Sequence, residues 1–303
     1  MVKYCLFPVA GFGTRFLPVT KTIPKELLPI LDKPLIQYAV DEAFESGMFE
    51  MVLVLNDYKL AIKKYFEPFP YLESLISSSP KIDKLDCINN ITKNCSLNFI
   101  NQTEMLGLGH AILQGKDIIR NNPFAVVLPD DLCHNEGQSV MNQMQEIFKE
   151  NKDRCIVAVE EVNIKDVDKY GVISFKASSN NAFQVDDMIE KPSPSEAPSN
   201  LAIIGRYILT PDIFEILEQT EPDHNGEIQI TNALRQLAKN GKVIAYKFKG
   251  KRIDCGSVEG YINANIFFSE LKLMTPYLLT SLMSTSSTAT IHLSLFSLNI
   301  SCI

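Results

Sequence analysis

The sequence predicts an α/β protein with a Rossmann-like sheet that is mixed but mainly parallel and is flanked by helices. Two patterns predict it. Short apolar runs without polar interruption alternate with amphipathic segments, and several of these runs end directly in a glycine or acidic turn. A continuous apolar run is typical of a strand buried on both faces, and strand–helix–strand within about 50 residues is the βαβ unit with its right-handed crossover.

The first such unit lies near the start of the chain. Residues 5–10 form an apolar run that leads into a glycine turn, and residues 51–55 form the next run. Between them, residues 34–46 place apolar side chains at helical spacing, with Pro34 suited to the first turn and Gly47 to the position after the end.

The pattern then repeats along the chain. Further strands are predicted at 124–128, 155–159, 185–189, 201–209 and 243–248. A further helix is predicted to begin at Thr210-Pro211, with Thr210 as its cap and Pro211 at the first position, and others are predicted at 231–239 and 258–273. Two segments break the pattern and are interpreted as an insertion and a loop: residues 66–96 and residues 192–200.

The domain organisation follows from this pattern and from the end of the chain. The chain has 303 residues, and we expect residues 1–272 to form a single domain. Residues 273–303 contain no Asp, Glu, Lys or Arg and are rich in Ser and Thr. This tail lacks an unbroken apolar run of ~20 residues, so a membrane span is not expected. Two interpretations stay open: an adventitious extension, or a segment that contacts a partner or a membrane.

Composition excludes several classes of protein. The 29 Lys and Arg against 36 Asp and Glu leave a net charge of −7, so no broad nucleic-acid surface is expected. The seven cysteines are scattered without a C-x-x-C pair, which disfavours zinc fingers and a disulfide framework and suits a reducing cytoplasm. The first residues resemble neither a signal peptide nor a membrane span, so we expect no membrane partner.

A glycine turn with nearby cations is the first candidate for a binding site. Backbone N–H groups of such a turn after a strand can approach phosphates closely. Arg15 follows the turn, Lys21 and Lys25 come next, and Pro18 and Pro24 stiffen the loop, so the segment suits a triphosphate. A plain glycine turn or a solvated basic loop stays open. The turn itself contains Ala10, Gly11, Gly13 and Thr14.

Acidic residues that follow strands are candidates for a metal site. Asp130 and Asp131 come directly after the run 124–128, and Asp254 follows a basic turn. Ligands of open α/β sheets bind beyond the carboxyl ends of the strands, and Mg²⁺ takes one or two carboxylates together with phosphate oxygens. A simple acidic turn is the alternative.

Two other segments suit a base and a sugar phosphate. The amide of Gln102 can pair with a base edge, and Gly107 begins a glycine turn into an apolar helix. Glu190 can accept hydrogen bonds from sugar hydroxyls while Lys191 holds a phosphate. Each of these also has an ordinary surface interpretation. Cys133 and Cys255 have no neighbour that would activate a thiol and are interpreted as packing residues.

Taken in order, these segments resemble the bacterial-type UTP–glucose-1-phosphate uridylyltransferases over about residues 3–272. The most specific stretch is FPVAGFGTRFLPVTKTIPKELLPILDKPLIQY at 7–38. The other matching stretches are GLGHAIL at 107–113, FAVVLPDD at 124–131, KYGVI at 169–173, IEKP at 189–192, IGRYIL at 204–209, GEIQIT at 226–231 and DCGSVEGY at 254–261.

The resemblance implies a fold of the nucleotide-diphospho-sugar transferase type and a Mg²⁺-dependent transfer of UMP from UTP to glucose 1-phosphate. It also implies a cytoplasmic homo-oligomer, a dimer or a tetramer. By the family pattern, Ala10 and Gly11 would approach the nucleotide, Arg15 and Lys25 would bind the β,γ-phosphates, and Glu26, Gln102 and Gly107 would contact the uridine end. Asp130 and Asp254 would hold the metal. Gly171 and Glu190 would bind the glucose, and Lys191 would contact the sugar phosphate.

Three other functions remain as alternatives. The same scaffold could serve another base or sugar, as in a thymidylyltransferase, or could bind a sugar nucleotide without catalysis. A hydride-transfer enzyme is disfavoured, because Phe16 replaces the third glycine of G-x-G-x-x-G and Asn56, not an acid, follows the second strand.

Overall fold

A nine-stranded mixed sheet forms the centre of the protein in the computed structural model, which describes the backbone of residues 1–284 and the side chains of residues 1–273. The strand order is β5-β4-β1-β6-β11-β8-β12-β10-β9, and two short ribbons, β2-β3 and β7-β13, lie apart from it. The strands are β1 Tyr4–Pro8, β2 Pro29–Ile30, β3 Lys33–Pro34, β4 Glu50–Leu55, β5 Ser96–Asn101, β6 Phe124–Val127, β7 Asp131–His134, β8 Cys155–Glu161, β9 Gly171–Ser179, β10 Ala182–Glu190, β11 Leu201–Leu209, β12 Val243–Lys247 and β13 Lys251–Asp254.

Helices cover both faces of this sheet. They are α1 Leu35–Glu45, α2 Leu60–Phe66, α3 Pro70–Ile76, α4 Asp86–Asn94, α5 Gly107–Gln114, α6 Lys116–Ile119, α7 Val140–Glu150, α8 Asp212–Gln219, α9 Ile230–Lys239 and α10 Val258–Ser284. The α/β class and the predicted βαβ unit are confirmed, because β1 pairs in parallel with both β4 and β6.

The sheet is mixed, as predicted, and seven of its nine strands run in one direction, although its described pairings are four parallel and five antiparallel. In the described part of the chain, β10 and β11 run against the other strands of the sheet. β11 lies between β6 and β8, and its pairing with β8 shifts register between Ile203 and Tyr207. Gly205 lies inside that shift, and its N–H donates to the carboxylate of Asp131 at 2.8 Å. The antiparallel strand therefore meets the acidic turn after β6.

Two apolar layers explain the unbroken apolar runs. Along β4, Met51 and Leu53 pack into the cluster on one face of the sheet, and Val52 and Val54 pack into the cluster on the other face. Because successive side chains point to opposite faces, a strand covered by helices on both sides has no position for a polar residue.

A third, smaller cluster holds the acidic turns in place. It joins the β2-β3 ribbon, the β7-β13 ribbon and α10 through buried residues that include Ile30, Leu132, Ile253 and Ala264. β13 pairs antiparallel with β7, and this pairing puts Asp254 opposite Asp131. The ribbon thus brings the segment around residue 254 beside the end of β6.

Several predicted boundaries need correction. α1 begins at Leu35, so Pro34 precedes the helix and does not lie in its first turn. Thr210 does not cap α8, because its hydroxyl donates to the Asp212 side chain and makes no bond with a backbone N–H. The segment 66–96 contains α3 and α4, whereas 192–200 has neither helix nor strand, as expected.

The last helix is longer than predicted. The sequence indicates a helix over 258–273, and the backbone of α10 continues to Ser284. The predicted tail begins within this helix, and its residues 285–303 lie outside the described residues. Within residues 1–284, no helix combines the length and the apolar character needed to cross a membrane.

Candidate active site

The loop after β1 is held in shape from both sides. Gly13 has φ +65°, and a Cβ at this position would lie 3.1 Å from the Cβ of Lys25, so glycine is strongly favoured there. The hydroxyl of Thr20 donates to the Gly13 carbonyl at 2.9 Å, and the Asn56 amide donates to the Ala10 carbonyl. Gly11 faces open space, and Thr14 lies exposed beside it. The loop therefore has a fixed backbone with an open side.

Lys25 and Asp130 form an ion pair at the end of β6. The Lys25 ammonium lies 2.6 Å from the Asp130 carboxylate. Burial favours the neutral forms, yet the pKa of Asp130 is lowered and the pKa of Lys25 is raised, because the attraction between the two charges outweighs burial. Both groups therefore stay charged at neutral pH, which prepares a positive and a negative side chain at one point of the site.

Glu26 forms a second ion pair deeper in the loop. Both of its carboxylate oxygens accept from the Lys59 ammonium, at 2.8 and 2.6 Å, and both side chains are buried. Burial raises the pKa of Glu26, and the nearby Lys59 opposes that rise. The sequence analysis did not identify Lys59, because no local pattern indicates that a lysine 33 positions away pairs with Glu26.

Asp131 and Asp130 have different surroundings although they are neighbours in the chain. Asp131 is buried, accepts from Arg252 at 2.8 Å and receives the Gly205 N–H through its other oxygen. Asp131 thus ties β7, β11 and β13 together, whereas Asp130 faces the ammonium of Lys25. The sequence alone did not separate these two roles.

Asp254 and Asp130 approach a common point of the cleft wall. A Cβ built on Gly256 would lie 2.9 Å from Oδ1 of Asp254 and 3.5 Å from Oδ2 of Asp130. Gly256 has no side chain, so the position beside it between the two carboxylates is bare. Such a position suits Mg²⁺, which binds one or two protein carboxylates together with phosphate oxygens of a substrate. Among the described residues no cluster of three or more metal-ligating side chains exists, so a protein-only cage is absent there.

The predicted sugar end lies where β9 and β10 pair. Gly171 is opposite Glu190 in this pairing, and a Cβ at Gly171 would lie 3.2 Å from a Glu190 carboxylate oxygen. The same carboxylate accepts the hydroxyl of Thr231 at 2.5 Å. Lys191 has a left-handed backbone and an exposed side chain, with its ammonium 3.7 Å from Glu190.

The predicted uridine end contains a short polar chain. Gln102 is buried at the end of β5, and its amide nitrogen lies 2.9 Å from Nδ1 of His110. The other ring nitrogen, Nε2, lies 3.1 Å from the amide of Gln114. Gly107 has φ +86°, and a Cβ there would lie 2.9 Å from the side chain of Glu227, so the turn requires glycine.

One cleft of about 240 Å³ gathers six of the predicted residues from distant parts of the chain. They are Arg15, Asp130, Asp131, Gly171, Glu190 and Asp254. Lys25 joins them through its ion pair with Asp130. The remaining predicted positions do not line this cleft: Ala10, Gly11, Gly13, Thr14, Glu26, Gln102, Gly107 and Lys191.

The cleft also contains residues that sequence reasoning did not select. Tyr170, Gln229, Thr231 and Arg252 line it. Gln229 and Thr231 belong to the matching stretch GEIQIT, and Tyr170 belongs to KYGVI, so the motifs themselves carried a signal. Arg252 lies in the basic turn before Asp254, and its role depends on contacts with distant segments.

The cysteines near the site are packing residues. Burial raises the pKa of Cys133 to about 12 and that of Cys255 to about 12. Since the thiolate is the nucleophilic form, neither side chain suits covalent catalysis. Cys5, Cys95, Cys133, Cys155 and Cys255 are free thiols.

The chain is similar to known nucleotidyl transferases in sequence and in fold. The family model for nucleotidyl transferases matches residues 9–270. A UTP–glucose-1-phosphate uridylyltransferase of Pseudomonas aeruginosa is 54% identical over 272 residues, which are 89% of this chain and 97% of the relative. The chain shares its fold with the crystal structure of an apo UDP-glucose pyrophosphorylase, at 52% identity and a TM-score of 0.87, over 90% of this chain and 100% of the other. It also shares its fold with a UDP-glucose pyrophosphorylase complexed with UDP-glucose, at 51% identity and a TM-score of 0.81, over 89% of this chain and 99% of the other. The chain therefore belongs to the bacterial UTP–glucose-1-phosphate uridylyltransferase family of nucleotidyl transferases.

Proposed function

We propose that the protein transfers UMP from UTP to glucose 1-phosphate, giving UDP-glucose and pyrophosphate. The observation that carries this proposal is that Arg15, Asp130, Asp254, Gly171 and Glu190 line one cleft. They supply cationic and metal-binding groups for phosphates and a carboxylate acceptor for sugar hydroxyls. The names of the similar proteins, which refer to UTP, glucose 1-phosphate and UDP-glucose, support the same substrates.

The proposed reaction is a direct in-line displacement. A phosphate oxygen of glucose 1-phosphate attacks the α-phosphorus of UTP, and the bond from that phosphorus to the oxygen bridging it to the β-phosphorus breaks. The electron pair of that bond leaves with pyrophosphate. The sugar phosphate is already an anionic nucleophile, so no covalent enzyme intermediate is required. Catalysis then rests on positioning and on electrostatics, as in phosphoryl transfer generally.

Charge neutralisation is the main task of the protein in this reaction. Two polyanions repel each other, and Arg15, Lys25 and Lys191 would offset that repulsion from different sides. Asp130 and Asp254 would hold Mg²⁺, which when bound neutralises charge on the phosphate oxygens. The Lys25 ammonium and the Asp130 carboxylate lie 2.6 Å apart, so a cation for phosphate and a carboxylate for Mg²⁺ are held side by side.

We assign the binding of the nucleotide and its uridine to predicted residues that do not line the cleft. Ala10, Gly11, Gly13 and Thr14 would offer backbone groups to the nucleotide. Glu26, Gln102 and Gly107 would contact the uridine. The shape of the loop supports the role of the backbone groups, since Asn56 and Thr20 hold the carbonyls of Ala10 and Gly13.

A pyrophosphate-release assay tests the proposed function. With UTP, glucose 1-phosphate and Mg²⁺ together we expect turnover, and omission of any one component should abolish it. A panel of other nucleoside triphosphates and sugar phosphates then separates this activity from that of a thymidylyltransferase. Binding of UDP-glucose without any pyrophosphate release would instead indicate a catalytically silent relative.

Replacing Glu190 by Ala should weaken sugar recognition. Loss of a charged hydrogen-bond acceptor typically costs ~1.5–3 kcal/mol, so KM for glucose 1-phosphate should rise by about 10–150-fold. The ratio of rates with glucose 1-phosphate and galactose 1-phosphate should fall as well. Steady-state kinetics measures both. Glu161→Ala, which removes an exposed ion pair with Lys247, is the matched control. An unchanged sugar ratio would rule out the role of Glu190.

We also propose that the protein is a cytoplasmic homo-oligomer, a dimer or a tetramer, as the family resemblance implies. Size-exclusion chromatography with light scattering gives the mass in solution. A monomer at micromolar concentration would contradict this proposal.

A further inference from the structure

Arg252 is a buried cation at the wall of the cleft that the proposed reaction does not use. It lies on β13, and its side chain is 7% exposed. The guanidinium lines the cleft but is engaged by protein groups on several sides. It is therefore placed to act on other side chains and not on substrate.

One guanidinium holds three carboxylates from separate segments. Its Nη2 lies 2.7 Å from Asp131 and 3.2 Å from Asp254, and its Nη1 lies 2.7 Å from Glu160. Without a cation at this point, three negative side chains would repel one another across the wall of the cleft. The five donors of the planar guanidinium satisfy them together, which the compact ammonium of lysine cannot reproduce.

Asp254 is the most exposed of these three carboxylates, and both of its oxygens are held. Oδ2 accepts from Arg252 at 3.2 Å, and Oδ1 accepts the Gly256 N–H at 2.8 Å. Its side chain is 44% exposed, so it would have several orientations without these contacts. The contact with Arg252 therefore keeps the carboxylate on the cleft wall toward the bare position at Gly256.

Arg252 also reaches the sugar end of the cleft. The guanidinium carbon lies 5.0 Å from the centre of the Tyr170 ring, and Nη1 donates to the Tyr170 hydroxyl at 3.4 Å. The Tyr170 carbonyl accepts the Lys191 N–H at 2.9 Å, and Gly171 is the next residue. One side chain thus contacts both the acidic wall and the residue that supports the sugar end.

We propose that Arg252 is a positioning residue, which holds Asp254 ready for the divalent cation and, through Tyr170, supports the backbone around Gly171 and Lys191. This inference rests on the proposed function, since it assumes that Asp254 binds the cation. Partners that orient a metal ligand typically change metal affinity by ~10–100-fold when they are removed. The loss of Arg252 should therefore move the response to Mg²⁺, beyond any loss of stability.

Calorimetric titration of UTP into the full-length protein at a series of Mg²⁺ concentrations, and in EDTA, tests this role without turnover. Mg²⁺ should increase the affinity for UTP, and the Mg²⁺ midpoint is the concentration at which half of this increase is reached. In Arg252→Lys, the midpoint should rise by ~10–100-fold. Affinity for UTP in EDTA should stay at the wild-type value. Under turnover, KM for glucose 1-phosphate should rise as well. Arg235→Lys is the matched control, because it breaks an arginine–carboxylate pair with Asp187 on the surface.

The outcomes separate this role from the proposed function. A folded Arg252→Lys protein with a wild-type Mg²⁺ midpoint would overturn the positioning role even if the enzyme is active. A wild-type protein without pyrophosphate release would overturn the proposed function instead. If Arg252→Lys does not fold, Glu160→Gln replaces it, since it removes one anchor of the guanidinium. We expect a smaller shift in the same direction, and no shift in that variant would overturn the role.

Discussion

Purified Asp130→Asn protein should release pyrophosphate ~10²–10³ times more slowly than the wild type, because removal of one preorganised electrostatic group typically has that effect. The amide keeps the shape of the side chain but removes the charge that faces Lys25 at 2.6 Å and that would hold the divalent cation. Steady-state assays at saturating Mg²⁺ measure kcat and kcat/KM, and circular dichroism confirms that the variant is folded.

The partner of Asp130 provides an independent check on this result. Lys25→Ala should lose activity to a similar degree, and the double variant should lose less than the product of the two effects, because the two residues act as a unit. Glu146→Gln is the matched control, since Glu146 forms an ion pair of the same 2.6 Å length with Lys149 on the surface. Near-normal turnover in either single variant would contradict the assignment.

Replacing Glu42 by Gln should lower the free energy of unfolding by about 3–5 kcal/mol, because it leaves a buried guanidinium without its counter-charge. The side chain of Arg206 on β11 is 1% exposed, and its Nε and Nη2 donate to the same Glu42 oxygen at 3.0 and 2.8 Å. The other Glu42 oxygen accepts the Met141 N–H, so the carboxylate also joins α1 to α7. Urea unfolding followed by circular dichroism measures the change.

A double replacement distinguishes the missing charge from the missing contacts. Glu42→Leu combined with Arg206→Met removes both charges and keeps apolar volume, so stability should recover most of the loss seen in Glu42→Gln. If the double variant is as unstable as the single one, the hydrogen bonds to Met141 and to the carbonyls near Arg206 carry the stability, and the explanation by an uncompensated charge is wrong.

Local patterns determined the strands that are buried on both faces. Residues 51–55 and 155–159 are continuous apolar runs, and both form strands, because such runs have few other stable arrangements. Strands of mixed polarity were harder to identify. The sequence showed no clear period for β9, whose outer half is exposed, or for the four-residue strands β7 and β13.

The sequence also indicated which residue types the site contains, but it did not indicate which side chains contact each other. The glycine loop, Asp130 and Glu190 were selected because they follow predicted strands, and Asp254 because it follows a basic turn. The fold brings the three acids to one cleft. Lys191, selected with them, has an exposed side chain that does not line this cleft. Motif spacing identifies residue types, whereas the direction of a side chain depends on its surroundings.

The sequence by itself determined the α/β class, the family and the set of charged residues, since these depend on composition and on patterns within short segments. Only the tertiary structure decided which carboxylate meets which cation. Lys25 pairs with Asp130, which is 105 positions away in the sequence. Arg252 pairs with Asp131, which is 121 positions away, and also with Asp254. The physical reason is that an ion pair forms where strands from distant segments end together, and no local period records that meeting.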